Sequence, residues 1–186
     1  MSSIHIAGIS GSLRKGSYNT ALLTTVQSLI PPDVTFERIE IGMLPLFNSD
    51  LEADGPVPVL TDFRERLARA DALVISSPEY NFSIPGVLKN ALDWASRGKD
   101  SPLQNKPVAI MGASPGMLGT SRMQMHLRQV FLFNNMQAVV KPEVFIAQAP
   151  SKFDADGNLI DQKTIETIGT LLTKLISSAI RNQHPL

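Results

Sequence analysis

The sequence contains no cysteine among its 186 residues. This absence excludes disulfide bonds, thiol catalysis and thiolate metal sites, and it suits a reducing cytoplasm. An excess of charge of either sign is also missing, because 17 Lys and Arg residues balance 17 Asp and Glu residues. A formal net charge of zero gives no electrostatic reason to expect nucleic acid or an anionic membrane as a partner.

Long hydrophobic runs are missing as well, since no apolar stretch approaches the roughly 20 residues that a membrane-spanning helix needs. The chain enters a predicted strand at once, without the basic segment and apolar stretch of a signal peptide. We therefore predict a cytoplasmic protein with no membrane partner. Hydrophobic residues make up 43% of the chain and charged residues 18%, which predicts one folded domain over residues 1–186.

Apolar strands alternate with amphipathic helices along the chain, which predicts an α/β fold with a parallel sheet and helices on both faces. The predicted strands cover residues 4–8, 34–41, 72–76, 107–111 and an interrupted fifth at 138–140 and 143–146. Residues 42–58 contain three prolines and are expected to be irregular. Five strands in this rhythm favour a flavodoxin-like three-layer sandwich of order 2-1-3-4-5, with its ligand at the carboxyl ends of strands 1 and 3.

A loop rich in Gly, Ser and Arg joins the first strand to the first helix, with the sequence ISGSLRKGSYN at residues 9–19. Free N–H groups at a helix start favour an anion, and Arg14 can add charge. Ser17 stands where a P-loop has Lys, and the Rossmann glycine pattern is absent, so neither nucleotide motif applies. An ordinary polar turn with Ser17 as the helix cap is the alternative.

Two further loops follow the third and fourth predicted strands, with the sequences SPEYNFS at residues 77–83 and GASPGMLG at residues 112–119. All three loops are expected to meet at one sheet edge. Tyr80 brings an aromatic ring, Asn81 brings donors and an acceptor, and exposed backbone amides are expected around Ser114 and Gly116. A phosphate site beside a planar body fits FMN best. Alternatively, Tyr80 is an ordinary loop aromatic and Asn81 a turn residue.

Two motifs together, GSLRKGSYN at 11–19 and PEYNFSIPGVLKNALDW at 78–94, resemble the NADPH-dependent FMN reductase family, and within it the quinone and chromate reductase branch. The resemblance covers nearly the whole chain and implies which residues bind FMN. It assigns the phosphate to Ser12, Leu13, Arg14, Lys15, Gly16, Ser17, Tyr18 and Asn19, and the isoalloxazine ring to Pro78, Glu79, Tyr80 and Asn81. Ser114 would approach the ribityl side of the ring. Pro115 departs from the family pattern, and because proline has no N–H to donate, one possible flavin contact is missing.

The resemblance implies an FMN-dependent NAD(P)H oxidoreductase that forms a homodimer or homotetramer. Hydride would pass from NADPH or NADH to FMN and then, by ping-pong exchange, to a quinone, free flavin or similar small-molecule acceptor. This chemistry needs no acid–base triad, and we assign no catalytic side chain or metal ligand. His5 falls in a strand, His126 in a helix and His184 in the tail.

A flavodoxin-type electron carrier and a non-catalytic FMN-binding sensor are the alternative functions. The neutral chain counts against a carrier, because such carriers tend to be acidic and dock basic partners electrostatically. The sequence leaves open the physiological acceptor, the choice between NADPH and NADH, and the choice between dimer and tetramer. It also leaves open whether Arg14 meets the FMN phosphate or the 2′-phosphate of NADPH.

Overall fold

A parallel six-stranded sheet forms the centre of the computed structural model, which describes residues 3–183. The strands are β1 (Ile4–Ser10), β2 (Val34–Arg38), β3 (Ala72–Ser76), β4 (Pro107–Ala113), β5 (Gln137–Ala138) and β6 (Val144–Ile146). Their order is β2-β1-β3-β4, and both β5 and β6 pair with the outer edge of β4. The predicted order is confirmed, with two short strands sharing the fifth position. His184 lies outside the described residues.

Within residues 3–183, six α-helices cover the sheet or its connections. They are α1 (Tyr18–Leu29), α2 (Ser49–Ala53), α3 (Pro58–Arg69), α4 (Gly86–Ala95), α5 (Ser121–Phe133) and α6 (Gln162–Gln183). The prediction of an irregular segment at 42–58 was wrong for α2, whose first turn is capped by Asn48 accepting the N–H of Asp50. No helix within residues 3–183 is long and apolar enough to cross a membrane.

Two hydrophobic cores lie on opposite faces of the sheet. Successive side chains of a strand point to opposite faces, so Val74 enters the core under α1 and α6, whereas Leu73 and Ile75 enter the core under α3, α4 and α5. All five residues of β3 are buried, as expected for a continuous apolar strand at the centre of a parallel sheet. The three layers are therefore helix, sheet and helix.

The register of the central strands brings their carboxyl ends to one edge. Ser10 at the end of β1 lies opposite Ser76 at the end of β3, and Ser76 lies opposite Met111 of β4. The hydrogen bonding between β1 and β3 extends one residue beyond β1, because Gly11 N–H donates to the Ser76 carbonyl at 2.8 Å. The loops that follow β1, β3 and β4 consequently start side by side.

Candidate functional site

The loop between β1 and α1 presents a row of backbone donors at a helix N-terminus. Ser17 caps α1 by accepting the N–H of Asn19 at 3.2 Å. Within residues 3–183, no hydrogen bond is made by four N–H groups of this segment, those of Leu13, Lys15, Gly16 and Tyr18. Unpaired N–H groups at the positive end of a helix dipole form a site for an anion.

The cationic side chains of this loop point away from the buried core. Arg14 is exposed, and its guanidinium lies 5.8 Å from the centroid of the Tyr18 ring. Tyr18 in turn packs against Phe153, with 4.9 Å between ring centroids. Lys15 is also exposed. Charge is therefore available beside the N–H groups of the loop.

Asn19 is used by the fold itself. Its side chain is buried, with Nδ2 donating to the Ala113 carbonyl at 3.0 Å and Oδ1 accepting the Ala113 N–H at 2.9 Å. The same oxygen accepts the Ser76 hydroxyl at 3.4 Å. The Asn19 amide thus pairs with the backbone of the last residue of β4, where β3 no longer provides a partner. It also links the start of α1 to the ends of β3 and β4.

Close backbone approach explains two of the glycines at this edge. A Cβ on Gly11 would lie 2.3 Å from the Ser77 hydroxyl oxygen, and a Cβ on Gly112 would lie 2.3 Å from both the Ser77 carbonyl and Thr120 Oγ1. Such separations are far inside van der Waals contact, so any larger residue would push the loops apart. Gly11 and Gly112 therefore let three chain segments meet around Ser77.

The second loop ends in a tight turn that carries two exposed aromatic rings. Tyr80 and Ser83 exchange backbone N–H···O bonds of 3.1 and 2.9 Å. Asn81 and Phe82 at the tip adopt φ values of 49° and 64°, in the left-handed region that asparagine tolerates better than phenylalanine. Tyr80 is 50% exposed and Phe82 is 62% exposed, so both rings are available to a planar ligand or a partner.

The second loop also makes hydrogen bonds to α5. The Glu79 carboxylate accepts the N–H groups of Arg122 and Met123, each at 3.0 Å. The Ser83 hydroxyl lies 3.0 Å from Nδ1 of His126. Sequence reasoning missed Arg122 and His126 as neighbours of the site, although their i, i+4 spacing on one helix face was the available signal.

The third loop is held by the last residue of β6 and by a hydrogen bond within the loop itself. Ser114 N–H donates to the Ile146 carbonyl at 2.9 Å, and Gly116 N–H donates to Ser114 Oγ at 3.1 Å. The protein itself therefore uses the N–H groups of Ser114 and Gly116. Within the described chain, the N–H groups of Met117 and Leu118 make no hydrogen bond, and these side chains are 74% and 53% exposed.

A surface cavity of about 480 Å³ lies elsewhere, between α2, α3 and α4, and is lined by residues such as Leu60, Arg64 and Trp94. None of its lining residues belongs to the three loops. No group of three or more His, Asp or Glu side chains within residues 3–183 could hold a metal ion. The chemistry available at the loop edge is anion binding by N–H groups and contact with planar or apolar groups.

Comparison with known proteins gives consistent matches over most of the chain. A family model described as NADPH-dependent FMN reductase matches residues 4–151. The chain is 49% identical over 172 residues to an NAD(P)H-dependent FMN reductase of Pseudomonas aeruginosa, covering 92% of this chain and 93% of that protein. It is 43% identical over 186 residues to an NADPH:quinone oxidoreductase of Arabidopsis thaliana, covering 97% and 94%.

A solved structure shows the same fold. FerB of Paracoccus denitrificans, described as a flavoenzyme NAD(P)H:(acceptor) oxidoreductase, superposes with a TM-score of 0.85 at 32% sequence identity. The alignment covers 96% of this chain and 98% of FerB. The likeness therefore extends across all three layers and includes the edge where the loops meet.

Proposed function

The chain belongs to the NADPH-dependent FMN reductase family, and from this membership we propose an FMN-dependent NAD(P)H oxidoreductase that reduces a quinone-like acceptor. It is an oxidoreductase enzyme with FMN as its cofactor. One observation supports the proposal above others: the two motifs that carry the family resemblance lie on loops that start at the same sheet edge. Bound at this edge, FMN would supply the hydride and electron-transfer chemistry between NADPH or NADH and the acceptor.

The residues present fit FMN in two respects. The unpaired N–H groups of Leu13, Lys15, Gly16 and Tyr18 suit a phosphate at the start of α1. The half-exposed ring of Tyr80 suits a flat, partly apolar body. We therefore propose Ser12 through Asn19 as the phosphate segment, and Pro78 through Asn81 with Ser114 and Gly116 as the flavin segment.

Side chains at the rim of the site suit the acceptor. Phe82, Met117 and Leu118 are each more than half exposed on the second and third loops. When exposed apolar side chains cover an apolar ring and exclude water from it, the removal of apolar surface from water favours binding. We propose that they form the contact for a quinone-like molecule.

We also propose that residues 1–186 act as one cytoplasmic domain that assembles into a homodimer or homotetramer. On α5 and at its end, Met125 is 61% exposed and Leu132 and Phe133 are each 81% exposed. Exposed apolar residues grouped on one helix suit an interface. Met125→Glu is expected to lower the mass measured by light scattering. Ile160→Glu, at a position 58% exposed outside α5, is the control that leaves the mass unchanged.

Anaerobic spectroscopy tests the proposed activity. The purified protein, supplied with FMN, is expected to show an oxidised flavin spectrum that bleaches with NADPH or NADH and returns when a benzoquinone is added. Bound flavin that no nicotinamide reduces would favour an electron carrier or a sensor. Failure to take up FMN would overturn the proposal.

A charge-reversal pair tests the phosphate segment. Arg14→Glu places a carboxylate beside the unpaired N–H groups, and it is expected to weaken FMN binding by about tenfold or more. Lys163→Glu makes the same charge change at an exposed position on α6 and is expected to leave FMN affinity within about twofold. Equal effects in both variants would show that only net charge matters, and the assigned phosphate position would be wrong.

A further inference from the structure

Helix α5 begins without a side-chain cap of its own. Thr120 holds the cap position, but its hydroxyl accepts from Gln124 Nε2 at 3.1 Å and makes no bond to the helix start. The N–H groups of Arg122 and Met123 donate to one oxygen of Glu79 instead. A carboxylate 43 residues earlier than Arg122 in the chain therefore caps α5, where a negative charge also meets the positive end of the helix dipole.

Glu79 immediately precedes the turn that carries Tyr80 and Asn81. Phe82 at the tip of this turn has a φ of 64°, which is uncommon for a bulky aromatic residue. A backbone in such a conformation persists only where surrounding contacts hold it. Contacts from α5 add to the two backbone hydrogen bonds that Tyr80 and Ser83 exchange within the turn.

Two side chains of α5 reach the turn in addition to the cap. The Arg122 guanidinium lies 4.0 Å from the centroid of the Phe82 ring, within the range of a cation–π interaction. His126, one helical turn later, contacts the Ser83 hydroxyl. Glu79, Phe82 and Ser83 are thus all attached to one helix, and the side chain of Glu79 is only 10% exposed.

We propose that Glu79 is a positioning residue for the flavin: its carboxylate acts through the N-terminus of α5 and does not itself contact the cofactor, whatever the backbone of this segment contributes. Its carboxylate holds the turn in the conformation that presents Tyr80 and Asn81 to the ring. This inference rests on the proposed function, because it assigns a role to a residue of the proposed FMN site.

Preorganisation sets the size of the expected effect. A ligand that needs one conformation binds more weakly in proportion to the fraction of molecules that hold it. If loss of the Glu79 cap leaves the turn in place in roughly one molecule of ten, the dissociation constant of FMN rises about tenfold. The surroundings of the ring change as well, so the midpoint potential of bound FMN is expected to shift.

The test compares the removal of two carboxylate caps. Glu79→Ala removes the cap of α5, and Asp161→Ala removes the cap of α6, where Asp161 accepts the N–H of Thr164 at 3.0 Å. FMN is titrated into apo-protein by fluorescence quenching, the midpoint potential is measured by dye equilibration, and Tm is recorded for each variant. Glu79→Gln keeps an oxygen acceptor at this position. The same measurements are made on this variant, and they replace those on Glu79→Ala if Glu79→Ala does not fold.

The outcomes separate the inference from the proposed function. We expect the FMN dissociation constant to rise about tenfold in Glu79→Ala and at least about twofold in Glu79→Gln, with a shifted potential. Asp161→Ala is expected to lower Tm only. Equal losses of FMN affinity in Glu79→Ala and Asp161→Ala, or none in the soluble Glu79 variants, would overturn the inference. Failure of the wild-type apo-protein to bind FMN would overturn the proposed function itself.

Discussion

Asn19 offers the sharpest test of how the candidate site is built. The family resemblance assigns this residue to the cofactor, whereas the structure engages its amide with Ala113 and Ser76. Replacing Asn19 with alanine would leave the N–H and carbonyl of Ala113 without these partners in a buried position. The change should therefore destabilise the protein even when no FMN is bound.

The size of the effect follows from the hydrogen bonds that are lost. A buried polar group left unpaired costs about 1–3 kcal/mol, and two such groups on Ala113 give about 3 kcal/mol after partial relaxation. For a chain of 186 residues, each kcal/mol corresponds to about 2–4 °C in Tm. We expect Asn19→Ala to lower the Tm of the apo-protein by about 6–12 °C.

Urea denaturation of the apo-protein, with thermal unfolding beside it, measures this prediction. Asn182→Ala is the control, because Asn182 is an exposed amide on α6 and should change the free energy of unfolding by no more than about 0.5 kcal/mol. The reasoning would be refuted if Asn19→Ala kept wild-type apo stability while abolishing FMN binding. That result would mean that the amide serves the cofactor and not the strand ends.

Two other perturbations probe the sheet and its edge. Gly112→Ala forces a Cβ to within 2.3 Å of the Ser77 carbonyl, so we expect a loss of at least about 2 kcal/mol in urea denaturation. Gly169→Ala, on α6 with open space around it, should instead stabilise by about 0.5–1 kcal/mol; similar losses in both variants would contradict the crowding argument. Burial lowers the pKa of Lys106 from 10.5 to about 8. The unfolded chain therefore binds more protons between pH 8 and 10.5, and stability should rise with pH across this window by up to about 3 kcal/mol. The stability difference between wild type and Lys106→Met should follow that rise, and parallel pH profiles would show that Lys106 is not the cause.

Most of the fold was predictable because its signals are local. The continuous apolar run of β3 and the alternation of strands with helices specify buried parallel strands. The bounds of β3 agree with the prediction at both ends. The short helix α2 was missed, because its five residues are too few for a 3.6-residue pattern to appear among prolines.

Within the candidate site, the sequence predicted which loops meet but not what each side chain contacts. The Gly and Ser residues of the first loop and the cap at Ser17 follow from local backbone needs. Nothing local indicates that the Asn19 amide bonds to Ala113, a residue 94 positions away. The same holds for the Glu79 carboxylate, which faces α5 although the motif suggested a position beside the ring.

The sequence by itself determined the α/β class, the strand order and the family, because periodicity and contiguous motifs are properties of neighbouring residues. Only the tertiary structure decided how Asn19, Glu79 and Gly112 are used. Their roles depend on which strand ends and helix start lie within about 3 Å of them. Such distances arise when the sheet register and the packing of α1 and α5 bring distant segments together, and no short window of the chain encodes them.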